Sequence, residues 1–202
     1  MKKVLAVLLS LALFVGFTIS TASAGMYISG NLGAVFLNDA DVDGDGDSGE
    51  ITFDNGGVAT FALGTTIGSA GRIEAEVGAR VNDFDKAKID GYSGSFDFDG
   101  DVTTISFMGN AFYDFKNGSS FTPFLGGGLG AANVEYDIDD GGGKEDDTVV
   151  AYQFILGGSF AATEQLSIDL QYRYFATDDP DLDGTDVEYH SHNAMVGLRY
   201  SF

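Results

Sequence analysis

Three observations predict an all-β fold: eight segments alternate apolar and polar residues, their connections switch between short and long, and the acids collect in the long ones. Together they define an eight-stranded antiparallel up-and-down transmembrane β-barrel with short periplasmic turns and long acidic extracellular loops. At 202 residues and 44% apolar content, the chain is long enough for one domain with a full interior. After the N-terminal run, no stretch is long and apolar enough for a helical span. Barrel strands alternate, so they cross a bilayer without such a stretch.

Taken in order, Lys2 and Lys3 precede an apolar or small run from Val4 to Thr18, and Ser20-Thr21-Ala22-Ser23-Ala24 puts small residues where signal peptidase reads. Residues 1–24 read as a cleaved signal peptide and residues 25–202 as the barrel domain. Cysteine is absent, which excludes a disulfide-stapled scaffold, thiolate metal sites and thiol chemistry.

The clearest strands are 72–81 (RIEAEVGARV), 166–174 (LSIDLQYRY) and 194–202 (AMVGLRYSF). In the second of these, Leu166, Ile168, Leu170, Tyr172 and Tyr174 share one face and Ser167, Asp169, Gln171 and Arg173 the other. Five glycine- and aromatic-rich segments complete the set: 26–36, 51–66, 102–115, 121–136 and 148–160. Pro123, near the start of its strand, is the only proline inside them. Connections at 67–71, 116–120 and 161–165 are short, while those at 37–50, 82–101, 137–147 and 178–186 are long. A soluble sandwich has no reason to sort its loops this way. With an even strand number, both termini fall on the periplasmic side.

Charge follows the same division. Nearly all of the 31 acids lie in or beside the long loops, and Lys86, Lys88, Lys116 and Lys144 fall in loops or turns. Arg72, Arg80, Arg173 and Arg199 instead lie on strands, all on the polar face. If the apolar face meets lipid, that polar face fills a lumen just wide enough for side chains. The expected interior is an ion network of these arginines with Glu74, Glu76, Asp114 and Asp169, because the planar guanidinium pairs well with carboxylates. Aromatics group at both strand ends: Phe115, Phe121, Phe160, Tyr200 and Phe202 near the short turns, Phe36, Phe53, Tyr136 and Phe175 near the long loops. They are expected to form the two interfacial girdles.

FTPFLGGGLGAA (121–132), AYQFILGGSFAATEQLSIDLQYRYF (151–175) and HNAMVGLRYSF (192–202) resemble the small eight-stranded outer-membrane β-barrel family, which includes opacity-type surface proteins and OmpA/OmpX-like barrels. Residues 51–80 resemble that family's second and third strands. The resemblance implies an outer-membrane location in a Gram-negative cell, among outer-membrane lipid and lipopolysaccharide. It also implies that Leu198, Tyr200 and Phe202 form the assembly signal read by the barrel-insertion machinery. The long loops are far more acidic than the family pattern, and architecture does not by itself give activity.

In the first long loop, Asp39-x-Asp41-x-Asp43-Gly44-x5-Glu50 fits the EF-hand formula, with Asp45 inside it. The flanks are strands, so this is not an EF-hand, yet a helix-free loop can still wrap calcium. Asp179, Asp181 and Asp183 repeat part of the pattern in the last long loop. Barrel closure sets that loop beside the first, so calcium is the candidate ion and no other cofactor is indicated. The competing reading is that Asp and Gly simply make soluble loops. His190-Ser191-His192 is where a hydrolase would have to sit, as in lipid A deacylases. Its spacing departs from theirs and no acid is placed to orient either imidazole, so the histidines read as interface residues, with His190 a further candidate around a metal. LGGGLG (125–130) lacks the lysine and following helix of a phosphate cradle. A net charge of −21 excludes nucleic-acid binding. The functional expectation is a non-enzymatic barrel with a plugged interior, whose loops serve surface contact or adhesion through an extracellular partner. A narrow pore and a lipid A-modifying enzyme are the alternatives.

Overall fold

A computed structural model describes the backbone of residues 25–37, 40–43, 48–53, 55–89, 95–97, 100–138, 143–178, 181–182, 185–186 and 189–202. Side chains are described for residues 25–36, 55–82, 101–135, 146–178 and 189–202. The signal-peptide segment 1–24 lies outside the described residues.

Eight strands form the barrel: β1 (Met26–Leu37), β2 (Gly56–Ile67), β3 (Gly71–Ile89), β4 (Gly100–Asp114), β5 (Phe121–Ile138), β6 (Gly143–Ala161), β7 (Leu166–Thr177) and β8 (His190–Ser201). Each pairs antiparallel with its sequence neighbours, and β8 pairs with β1 to close the sheet. Following register partners once around, Met26 leads through Thr65, Ile73, Ala111, Gly127, Phe154, Tyr174 and His192 to Phe36, ten residues further along β1. That stagger over eight strands implies a tilt of about 40° and a backbone radius of about 8 Å, from the ordinary strand rise and spacing. A barrel this narrow has to be filled by its own side chains.

The short connections owe their tightness to local chemistry. Gly68 and Gly118 take positive φ of 61° and 77° at the first two turns, where a Cβ would be strained. In the second turn Asn117 Oδ1 accepts from the Ser119 backbone N–H at 3.1 Å. In the third, Thr163 Oγ1 accepts from the Leu166 N–H at 2.9 Å.

Strand bounds depart from expectation in three places. The segment 51–66 is not one strand: Ser48–Phe53 forms a hairpin with Ala40–Asp43 and pairs with the far end of β3, while β2 starts at Gly56. β5 and β6 extend to Ile138 and from Gly143, and β3 itself runs to Ile89, so Lys86, Lys88 and Lys144 lie on strands rather than in loops. Ser95–Asp97 adds to the same edge. At the tilt above, each residue climbs about 2.5 Å, so about ten cross an apolar band of about 25 Å. The 19-residue β3 and β6 and the 18-residue β5 therefore continue well beyond the bilayer.

Side-chain burial divides by strand parity. Leu63, Ile73, Phe107, Leu129, Leu156, Leu170, Val196 and Leu198 are exposed outward, while Arg72, Glu74, Glu76, Arg80, Asn110, Gln153, Asp169, Arg173 and Asn193 are buried inward. This inverts a soluble protein and fits an apolar solvent outside. Phe115, Phe121, Phe160 and Tyr200 are exposed at the periplasmic rim. Phe175 is a correction: it is fully buried in the lumen, one strand position from outward Tyr174. Among the described residues, Phe36 and Tyr152 are exposed toward the outer rim, while the side chains of Phe53 and Tyr136 lie outside the described residues.

Candidate functional site

The lumen gathers the charges that the polar strand faces carry. Near the periplasmic end, Arg72 Nε donates to both oxygens of Asp114 at 3.0 Å, linking β3 to β4. The same guanidinium lies 4.4 Å from the Phe112 ring centre and 5.1 Å from that of Phe124, which supplies attraction without further desolvation. Arg199 of β8 donates to Asp169 of β7 at 3.3 Å and to Ser159 Oγ of β6 at 2.8 Å. At mid-height Arg173 Nη1 meets both oxygens of Glu76 at 2.7 Å across the barrel.

Neutral groups knit these pairs together, and sequence reasoning had not singled them out. Gln153 Nε2 donates to Glu76 at 3.1 Å and to Asn110 Oδ1 at 2.8 Å. Arg173 Nε donates to Gln171 at 3.1 Å, whose amide in turn donates to Asn31, and Asn31 donates to Thr60 Oγ1 at 2.9 Å. Their signal in the sequence was their place on the polar face of each strand. Strand β5 contributes room instead: a Cβ on Gly128 would collide with Asn110 Oδ1, and one on Gly126 would collide with the Phe112 ring. Hence the glycine run 125–130 serves side-chain packing from neighbouring strands.

Two of the eight expected charges are not in direct ion pairs among the described residues. Glu74 accepts from Ser29 Oγ at 3.3 Å. Arg80, 1% exposed, stands 3.7 Å above the Phe175 ring and donates to Ser106 Oγ at 3.1 Å and to Asn193 Oδ1 at 3.4 Å. Phe175 in turn joins Val102, Val134 and Tyr189 in one apolar cluster. A void bounded by Ser29, Asn31, Glu74, Gln171 and Arg173 measures about 10 Å³, about enough for one water.

The hydrolase reading meets a geometric obstacle. Ser191 is fully buried in the lumen, where Asn193 Nδ2 donates to its Oγ at 3.2 Å. His192 bonds outward-facing Tyr172 through Nδ1 at 2.6 Å. A one-residue step along a strand puts Ser191 and its two flanking histidines on opposite faces, so no Ser–His pair forms there.

Of the candidate cation ligands, Asp39, Asp45, Asp179 and Asp183 lie outside the described residues, as do the side chains of Asp41, Asp43, Glu50 and Asp181. Backbone register does place Asp41 opposite Glu50, and Glu50 opposite Lys88 on its other side. At the C-terminus, the Phe202 N–H donates to the Met26 carbonyl at 3.0 Å, and the Tyr200 and Phe202 rings meet edge-on at 5.4 Å. Leu198 faces outward.

A closed eight-stranded barrel with an apolar exterior and an ionic interior defines an integral outer-membrane protein. The chain belongs to the family of the outer membrane protein beta-barrel domain, which it matches over residues 5–202. It is 27% identical over 121 residues to the outer membrane protein PagN of Salmonella typhimurium, covering 50% of this chain and 51% of PagN, so it spans about half the length of that relative. Its fold is similar to that of the Neisserial surface protein A, NspA, with TM-score 0.62, 22% identity and coverage of 91% of this chain and 100% of that one. It is also similar to AlkL in lipid bilayers, with TM-score 0.52, 18% identity and coverage of 92% and 93%. The protein resides in the outer membrane.

Proposed function

We propose that the protein is a non-enzymatic surface barrel whose lumen is plugged and whose long acidic extensions make contacts outside the cell. The observation that carries this is the division of labour along the strands. The membrane-spanning part is locked by ion pairs and amide bonds from seven of the eight strands, while β3, β5 and β6 project beyond the bilayer. A rigid stem carrying tall hairpins suits display rather than transport or catalysis.

Calcium tunes these contacts in this reading. Alternating Asp41 and Asp43 fall on one face of the hairpin, with Glu50 opposite Asp41 in register. Facing like charges cost stability until a cation screens them. Lys88 beside Glu50 offers an internal competitor, which keeps affinity in the weak range of extracellular modules, about 10⁻⁴ to 10⁻³ M. Asp179, Asp181 and Asp183 are the second set of ligands. Residues 1–24 serve as the export signal, and Leu198, Tyr200 and Phe202 serve as the handle for the barrel-insertion machinery.

The test is attachment of cells displaying the protein to an epithelial monolayer, with calcium or with chelator. Attachment should exceed that of an empty strain and fall when residues 38–47 are replaced by a Gly-Ser segment of equal length. Equal attachment by all three strains rejects the surface-contact role. Equal attachment with calcium and with chelator rejects the cation dependence alone.

A further inference from the structure

Strand parity points Ala176 outward, with Tyr172 and Tyr174, yet it is only 3% exposed. Register explains why. Ala176 lies opposite Tyr152 of β6 on one side and opposite His190 of β8 on the other. Along its own strand Tyr174 comes two residues before it and Asp178 two residues after, the Asp178 N–H still donating to the Val150 carbonyl of β6 at 2.8 Å. Three rings and a carboxylate thus surround one methyl group.

The space between them is a void of about 410 Å³ with Ala176 in its lining. The Tyr174 and His190 rings are tilted by 37°, with centres 6.3 Å apart. Each strand-to-strand step of the register circuit climbs about 3 Å and each residue about 2.5 Å, so Ala176 stands about 23 Å above Met26 and Asp178 about 28 Å above it. The void therefore opens at the outer edge of an apolar band about 25 Å tall, with Tyr174 as its lower wall and Asp178 at its mouth.

We propose that this enclosure binds the ammonium group of a lysine side chain presented by an extracellular protein, with Tyr152, Tyr174 and His190 as walls and Asp178 as counter-ion. The proposal rests on the surface-contact reading and names the chemistry of the partner. Aromatic faces attract cations, and the carboxylate and phenol oxygens accept from an ammonium, which has donors only. Among the described side chains no cation competes on the outward face: Arg72, Arg80, Arg173 and Arg199 point into the lumen and Lys116 lies in a periplasmic turn. A net charge of −21 draws cations toward the loops above. A bare metal ion does not fit the chemistry, because among the described residues no three acid or imidazole ligands gather here. Tilted rings leave no parallel slot for a planar guanidinium, whereas a compact ammonium needs only ring faces and an acceptor.

The chain's two histidines make the test direct, since their imidazole ¹⁵N signals are assigned by H190Q and H192Q. The protein, refolded in maltoside micelles at one fixed pH and constant sodium chloride, is titrated with Nα-acetyl-lysine methylamide and with its Nε-acetyl derivative, the same chain without the charge. The charged probe should shift the His190 signals saturably, and the neutral one should not. Tyr152→Leu and Asp178→Asn should each weaken binding about threefold or more. Ala176→Leu, which fills the void without removing a wall, should abolish it. Replacing residues 38–47 by the Gly-Ser segment should leave the affinity unchanged, because that hairpin pairs with the end of β3, four strands away. Heat-modifiable gel migration confirms that each variant is folded, and the two wall variants keep the test open if Ala176→Leu is not. Unmoved signals, equal shifts from both probes, or wild-type affinity in Tyr152→Leu and Asp178→Asn overturn the site. Loss of binding in the loop replacement also overturns it, by making the shift a general effect of acidic loops. A failed titration leaves the attachment result standing, so the two readings fail separately.

Discussion

Arg173 and Glu76 meet across the middle of the lumen, one guanidinium nitrogen 2.7 Å from both carboxylate oxygens, with both side chains almost wholly removed from solvent. Removing either partner strands a buried charge. Arg173→Met and Glu76→Leu should each cost roughly 3–5 kcal/mol, whereas the double substitution should recover most of the loss, because two apolar groups desolvate without penalty. Urea unfolding in vesicles reads this out. Additive losses in the double variant would mean that the pair is not coupled.

Arg80 provides a contrast on the same strand. Its charge rests on the Phe175 ring at 3.7 Å and on neutral oxygens of Ser106 and Asn193, so removing it abandons no directly paired carboxylate. Arg80→Met should therefore destabilise less than Arg173→Met in the same assay, by about 2 kcal/mol or more. Phe175→Leu, which removes the ring beneath a buried cation, should cost about 2 kcal/mol or more.

Glycines divide into those that make room and those that do not. A Cβ at position 157 would stand 2.5 Å from both the Leu170 carbonyl oxygen and the Phe124 ring, whereas one at Gly57 meets nothing within 4 Å. Gly157→Ala should lower stability by about 1–3 kcal/mol, as overpacking does, and Gly57→Ala should be neutral or slightly stabilising. Unfolding midpoints of the two variants side by side decide the matter. A neutral Gly157→Ala would show that the Leu170 backbone and the Phe124 ring can both give way.

The barrel was legible because its rule is binary: a residue faces lipid or lumen, and parity reports which. Leu166 through Tyr174 could be read position by position, and the four strand arginines stood out because no lysine falls on the membrane-spanning part of any strand. Parity is silent about partners. Ile51–Phe53 alternate as well as β2 does, yet they pair with the end of β3, with a register shift at Thr52 and Phe53. Phe175 was placed in the outer girdle by its nearness to a loop, although its parity with Arg173 already put it inside. Which arginine would meet which acid depended on the ten-residue stagger of closure, a property of the whole sheet. That stagger brings Arg173 to Glu76 and leaves Arg80 on an aromatic ring.

The filled lumen predicts electrical silence. The Arg173–Glu76 pair, the Gln153–Asn110 bond and the Arg72–Asp114 fork occupy the bore. The void beside Glu74 is about 10 Å³, about one water and no path for a hydrated ion. Protein inserted into planar bilayers should show no unit conductance steps in molar potassium chloride at moderate voltage. High salt screens exposed charges but scarcely reaches a buried pair, so the silence should persist across ionic strengths. Regular steps from heat-modifiable, folded protein would mean that the network opens on its own, and the narrow-pore reading would then replace the plugged stem.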